Sequence, residues 1–227
     1  VKEGSGKRRD IDQYDYDYDH ILLWDDHDWE IVGAYRMRQT KDVRPESLYT
    51  HTLFEYNEAF LPYLQQGLEL GRSFVQPRYW GMRSLDYLWY GIGAYLKAHP
   101  DIRYLFGPVS VSQAYSEVSK DALVYFYSTF FASEETWVKA RNPYQLAKAE
   151  QEKLSQLFAL CEDYQSQFTQ LKAELTAQGD TVPTLYKQYS ELCEPGGVKF
   201  AAFNIDADFA DCIDGFMMLD TATIKSS

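Results

Sequence analysis

The stretch from residue 68 to residue 96 constrains this chain more than any other. Leu68-Glu69-Leu70-Gly71-Arg72-Ser73-Phe74-Val75-Gln76 is bounded by Gly67 and Pro77, and its apolar and aromatic content marks a strand, with Gly71 a candidate bulge. Residues 77–83 form a short loop. Ser84 can cap a helix whose Leu85, Leu88, Trp89, Ile92 and Leu96 recur at helical spacing until Pro100 stops it. A strand that feeds a helix through such a loop leaves backbone N–H groups and the positive end of the helix dipole at the carboxyl edge of a sheet. That edge suits a phosphate, and the loop adds Arg78, Gly81 and Arg83 to it.

The remaining elements group around this unit. Residues 20–24 and 30–38 read as an antiparallel pair turned by Asp25-Asp26-His27-Asp28. A helical stretch is expected over 53–64, a nearly continuous apolar and therefore central strand over 103–111, and a helix over 114–131. Beyond Asn142-Pro143, a longer helix carries Leu154, Leu157, Cys161, Tyr164, Phe168, Leu171 and Leu175 at steps of three and four, like a coiled-coil seam. That face must be covered, by the domain itself, by a second helix, or by a partner or membrane surface. Residues 198–206 and 212–220 close the chain as a hairpin. The fold class is therefore α/β (α+β): a mixed, mostly antiparallel central sheet flanked by helices. One domain over 1–227 is expected, with a helical insertion over 140–185 before the terminal hairpin.

Composition narrows the function. A net charge of -12 argues against general nucleic-acid binding, which needs a basic face. All arginines except Arg141 lie at or before Arg103, so the N-terminal half can still present a cationic patch. Hydrophobic residues make up 45% of the chain, which excludes general disorder, yet no apolar run approaches the ~18 residues of a membrane span. The opening Val1-Lys2-Glu3-Gly4-Ser5-Gly6 leads into charge rather than a signal-like apolar stretch. Cys161, Cys193 and Cys212 are odd in number and widely spaced, fitting a reduced compartment. A cytoplasmic protein without a metal site is expected, since Asp206-x-Asp208-x-x-Asp211 lacks the Gly and Glu of a calcium loop and reads as turn chemistry.

The loop Arg78-x-x-Gly81-x-Arg83 resembles the pyrophosphate loop of the Gcn5-related N-acetyltransferases (GNATs), with Arg83 where a small residue is usual. Asp12-Gln13-Tyr14-Asp15, Val32-Gly33-Ala34-Tyr35-Arg36 and Glu69-Leu70-Gly71-Arg72 follow in the order and at spacings similar to the acyl-homoserine-lactone synthase branch. Asp10-Ile11-Asp12 through His20, Leu68 to Ser73, Leu88-Trp89 and Tyr104-Leu105-Phe106-Gly107-Pro108-Val109-Ser110 are similar to the ornithine-lipid and glycine-lipid N-acyltransferases, some of them labelled hemolysins. Arg141-Asn142-Pro143, Phe203-Asn204-Ile205-Asp206 and Asp214-Gly215 extend the likeness over nearly the whole chain. The strand and helix that precede the acidic motif in those families are missing here. Some long relatives fuse this domain to an O-acyltransferase domain, so a fused or separate O-acylating partner is expected.

The resemblance implies transfer of a fatty acyl group, plain or 3-hydroxylated, from acyl carrier protein to the amino group of a small amino acid such as ornithine or glycine. The product would be an aminolipid, made by an enzyme held peripherally at the inner face of the cytoplasmic membrane. The co-substrate is acyl carrier protein or acyl coenzyme A, with no tightly bound cofactor. Glu69, Arg72 and Ser73 are the candidate catalytic residues: Glu69 as the base, with the alternative that it pairs with Arg72 or Arg36, and a backbone N–H near Ser73 to Val75, freed by the bulge, as the oxyanion donor. Asp12, Asp15, Arg36, Phe74 and Phe106 are the candidate substrate contacts, the charged ones equally readable as a structural ion-pair network. Val75, Arg78, Gly81, Arg83 and Ser84 are the candidates for the phosphopantetheine arm, where Arg83 suits a carrier's single phosphate. An acyl-amino-acid or acyl-lactone signal synthase is the enzymatic alternative. A non-catalytic module binding acyl groups or carrier protein is the other.

Overall fold

The computed structural model describes residues 11–161 and 163–225. Six strands form one sheet in the order β1-β2-β4-β5-β8-β7: β1 (Asp19–Asp25), β2 (Glu30–Gln39), β4 (Gly67–Val75), β5 (Tyr104–Val111), β7 (Val198–Asp206) and β8 (Cys212–Asp220). Neighbours are antiparallel except β4 and β5, which run parallel around the crossover helix α2 (Ser84–Ala98). Two short strands, β3 (Phe54–Tyr56) and β6 (Val138–Ala140), pair separately. The expected mixed, mostly antiparallel architecture is therefore the observed one.

Side-chain alternation sends each strand's residues to two apolar layers. Leu68, Leu70, Leu105 and Met217 enter one layer with helix α2, α3 (Glu117–Phe130), α4 (Lys148–Phe158), α5 (Tyr164–Ala177) and α6 (Thr184–Leu192). Phe106, Phe216 and Met218 enter the other, against Leu48, Phe54 and Phe60. Glu69 sits between Leu68 and Leu70, so its side chain belongs to this second, smaller layer. A buried acid among aromatics is costly unless donors meet it.

Three expectations are corrected. The stretch 53–64 is not one helix: it holds strand β3, a 3-10 turn and the four-residue α1 (Leu61–Leu64). The long helix breaks into α4 and α5, because Asp163 caps a new start by accepting the Ser166 N–H at 2.8 Å. Its seam is covered from within, as Leu154, Phe168, Leu171 and Leu175 are buried in the main core; Phe158, rather than Leu157, is the deeply buried residue at that turn. Ser84 is the first residue of α2 rather than its cap, a place taken by Arg83 without a side-chain hydrogen bond. β6 and α6 had no counterpart in the sequence reading. No helix among the described residues is long and apolar enough to cross a membrane.

Candidate active site

β4 is held differently on its two sides. β2 pairs with it from Gln39↔Leu68 to Gly33↔Val75, whereas β5 pairs with it only at Gly67↔Tyr104, Leu68↔Leu105 and Glu69↔Phe106. β5 runs on to Val111 in register with β8 instead. Just beyond Glu69 the backbones still touch, since a Cβ on Gly107 would stand 2.0 Å from the Leu70 carbonyl oxygen. Past that contact the two parallel strands share no ladder.

A bulge lies on the same stretch. Arg36 pairs with Gly71 and Ala34 with Phe74, so Arg72 and Ser73 together oppose Tyr35. The bulge residue is Arg72, not Gly71, and it takes the left-handed conformation at φ 50°. For a residue with a Cβ that conformation costs about 1–2 kcal/mol. Arg72 is tethered there by its Nη1, which donates to Asp12 Oδ2 at 2.7 Å.

Glu69 is 1% exposed. Its Oε1 accepts the Thr50 N–H at 2.6 Å and the Thr50 hydroxyl at 2.5 Å. Its Oε2 accepts the Tyr18 hydroxyl, whose oxygen in turn accepts the Tyr49 N–H at 2.8 Å. Because Thr50 Oγ1 gives its proton to Glu69, the Tyr56 hydroxyl bonded to it must be the donor of that pair. Burial pushes the Glu69 carboxyl above its ordinary 4.5, and the Thr50 and Tyr18 donors only partly oppose that. Such a carboxylate is a stronger base than an exposed one.

The charged residues form a cluster beside it. Asp12 caps the 3-10 turn Gln13–Tyr16 and shares a capping box with Asp15. Arg36 Nη1 donates to Asp12 Oδ1 at 2.7 Å and to Asp15 Oδ1 at 2.9 Å. The guanidinium is enclosed by the rings of Tyr14, Tyr18 and Tyr49 at 5.6, 5.1 and 5.4 Å. Burial alone would raise the Asp15 carboxyl, but the Asp12 N–H and Arg36 together hold it below its usual 3.8. Arg36 and Arg72 thus reach Asp12, while the hydrogen bonds to Glu69 come from Tyr18, Thr50 and the Tyr49 backbone.

The loop between β4 and α2 is crowded by acids. Arg78 pairs with Asp28 and, at 2.8 Å, with Glu30, so the β1–β2 turn folds onto the loop. Tyr79 donates to Asp25 at 2.7 Å. Arg83 reaches Asp86 at 3.2 Å and the Tyr90 hydroxyl at 3.1 Å. Gly81 takes φ 79°, a turn that favours glycine. Val75 closes the ladder with β2, and Phe74 is half exposed, whereas Phe106 is wholly buried against Phe60 and Phe216. Asp12, Asp15, Arg36, Arg72 and, through Tyr18, Glu69 are thus brought together. Arg78, Gly81 and Arg83 stand apart at the far end of β4. Sequence reasoning missed Tyr18, Thr50 and Tyr56, which lie in aromatic-rich stretches, and read Tyr49 only as a core or acyl-site aromatic. An open cleft of about 350 Å³ beside Val124, Ser128, Tyr144 and Phe203 involves none of these residues.

Residues 1–90 match the family described as Acetyltransferase (GNAT) domain. The chain is 33% identical over 206 residues to a glycine N(alpha)-acyltransferase of Bacteroides thetaiotaomicron, covering 83% of this chain and 60% of that protein. It is 33% identical over 146 residues to an L-ornithine N(alpha)-acyltransferase of Rhizobium meliloti, covering 61% and 49%. Less than two thirds of the length of either relative is thus represented. Among solved structures, the GphF GNAT-like decarboxylase in complex with isobutyryl-CoA is similar at a TM-score of 0.42 and 12% identity, over 88% of this chain and 76% of that one. Residues 1–90 are thus similar to GNAT acetyltransferase domains, and the longer alignments show likeness to glycine and L-ornithine Nα-acyltransferases.

Proposed function

We propose that this chain is an N-acyltransferase that moves a fatty acyl group, plain or 3-hydroxylated, from a phosphopantetheine thioester to the amino group of glycine or ornithine, in aminolipid synthesis. The observation that carries the proposal is the parting of β4 from β5 past the Leu70–Gly107 contact, one residue beyond Glu69 and beside the Arg72 bulge. A slot between parallel strands can seat an extended thioester arm, and a bulge turns backbone N–H groups out of the ladder toward a thioester oxygen. Glu69 supplies the base that frees the amine of a proton, after which nitrogen attacks the carbonyl carbon, the C–S bond breaks, and the thiolate leaves to be protonated. The acyl donor is acyl carrier protein or acyl coenzyme A, its phosphate held near Arg78, Gly81 and Arg83. The relatives' names support the acceptor class.

The test is incubation of the purified chain with palmitoyl-carrier protein or palmitoyl coenzyme A and either glycine or ornithine. Thiol release and the mass of the acyl-amino acid are measured together. An amide with one donor and one acceptor is expected, at a rate proportional to enzyme. Thioester loss without any amide mass, across all four pairings, refutes it.

A further inference from the structure

Tyr18 touches both halves of the site. Its hydroxyl donates to Glu69 Oε2, and its ring lies under the guanidinium groups of Arg36 at 5.1 Å and Arg38 at 5.4 Å. Glu69 itself is barely reachable, since Thr50 occupies Oε1 with two donors and Tyr18 occupies Oε2. A phenol oxygen has one proton to give and two lone pairs. The proton faces Glu69, and one lone pair takes the Tyr49 N–H at 2.8 Å. A group approaching Oε2 past Tyr18 therefore meets the phenol before the carboxylate.

We propose that Tyr18 relays the proton from the acceptor amine to Glu69, a step that rests on the N-acyltransferase reading. The remaining phenol lone pair takes a proton from the ammonium as an N–H bond breaks, and the original phenol proton passes to Oε2. Tyr18 is neutral before and after, Glu69 goes from anion to acid, and the amine becomes the nucleophile. Burial, then the Glu69 charge, holds the phenol above its ordinary value, so it passes the proton on rather than keeping a negative charge. The neighbours that would tune the step are Tyr56 on β3, Arg38 opposite Glu69 on β2, and Asp17, which sits 3.6 Å from Arg38.

The test compares the full chain with Tyr18→Phe, Glu69→Gln and the double variant, by kcat against pH and by the infrared carboxyl band of Glu69. Tyr18→Phe should lower kcat about 10²-fold with the acyl-donor KM unchanged, and the double variant should be no slower than Glu69→Gln alone. The Glu69 band should titrate at higher pH in Tyr18→Phe, which lacks one donor to the carboxylate. An active wild type with Tyr18→Phe within twofold of it, with losses that multiply in the double variant, or with an unmoved band overturns the relay alone. A wild type that forms no amide overturns the acyltransferase reading and the relay with it. Should Tyr18→Phe fail to fold, 3-fluorotyrosine at position 18 keeps ring and hydroxyl but acidifies the phenol. A kcat profile identical to that of the native chain would then overturn the relay.

Discussion

Replacing Gly107 with alanine tests whether β4 and β5 meet as closely as described before they part. The new Cβ would stand 2.0 Å from the Leu70 oxygen and 3.0 Å from the Leu70 carbonyl carbon. Ordinary contact needs about 3.5 Å, so one backbone must move by about 1.5 Å. Neither is easily moved, because Leu70 is in register with Met37 of β2 and Gly107 with Met217 of β8. Overpacking costs about 1–3 kcal/mol, and a clash between two backbones belongs at the upper end. At about 2–4 °C per kcal/mol for a chain of this size, Gly107→Ala should melt about 6–12 °C below wild type. Thermal unfolding followed by circular dichroism measures this, with Gly93→Ala as the control. Gly93 is an exposed residue of α2 with nothing near its Cβ position, so alanine there should be neutral or stabilising by up to about 1 kcal/mol. A Gly107→Ala melt within 2 °C of wild type, beside a well-behaved control, would show that the close approach is wrong.

Glu69→Gln should lower kcat by about 10²–10⁴-fold with the acyl-donor KM little changed, checked by steady-state thiol release. The same variant tests linkage: folding raises the Glu69 value above 4.5, so its contribution to stability is complete below pH 4.5 and is lost as pH rises through the folded-state value. Urea midpoints across pH should show that decline in wild type and lack it in Glu69→Gln. Arg36→Met leaves Asp12 and Asp15 without their buried partner and should cost about 2–4 kcal/mol by urea unfolding, below the full buried-pair figure because Asp12 is partly exposed. Arg78→Ala removes an exposed pair and should change stability by less than about 1 kcal/mol, while raising the acyl-donor KM at constant kcat.

Elements whose pattern is set by local period were readable from sequence. β7 and β8 alternate or run apolar between clear turn residues, and their limits fell where expected. α2 showed its apolar stripe and its stop at Pro100. What failed depends on tertiary context. Residues 53–64 carry apolar side chains at spacings compatible with a helix, yet Phe54–Tyr56 extend because Val138–Ala140, far along the chain, offers a partner strand. The seam after residue 148 keeps Leu154, Phe168, Leu171 and Leu175 buried on either side of a break where an Asp163 cap restarts the helix, but beside the break Phe158 replaces Leu157 and Tyr164 is partly exposed. In the site, charged residues were visible and neutral ones were not. Asp12, Asp15, Arg36 and Arg72 stand out by type, whereas Thr50 and Tyr18 matter only because the fold brings them onto a buried carboxylate from 19 and 51 residues away.

The acidic turn also accounts for the unusual bulge residue. Glycine would take the left-handed conformation at position 72 without strain, and a glycine stands one residue earlier at Gly71, where the backbone stays paired with Arg36. Arginine at 72 costs about 1–2 kcal/mol of backbone strain but gains a charge-assisted hydrogen bond to Asp12, a partly shielded interaction of about 1.5–3 kcal/mol. Strain and that bond are of similar size, and Asp15 adds a second carboxylate 3.8 Å from the same nitrogen. What arginine adds is a mechanical tie. Asp12 grips Arg72 on β4 and Arg36 on β2 at once, and Arg36 packs on Tyr18, whose hydroxyl rests on Glu69. The bulge, the capped turn and Glu69 are therefore linked by one chain of contacts, which on the proposed reaction would hold the backbone leaving the ladder at a set distance from the carboxylate. A glycine at 72 would make the same bend and leave that distance loose.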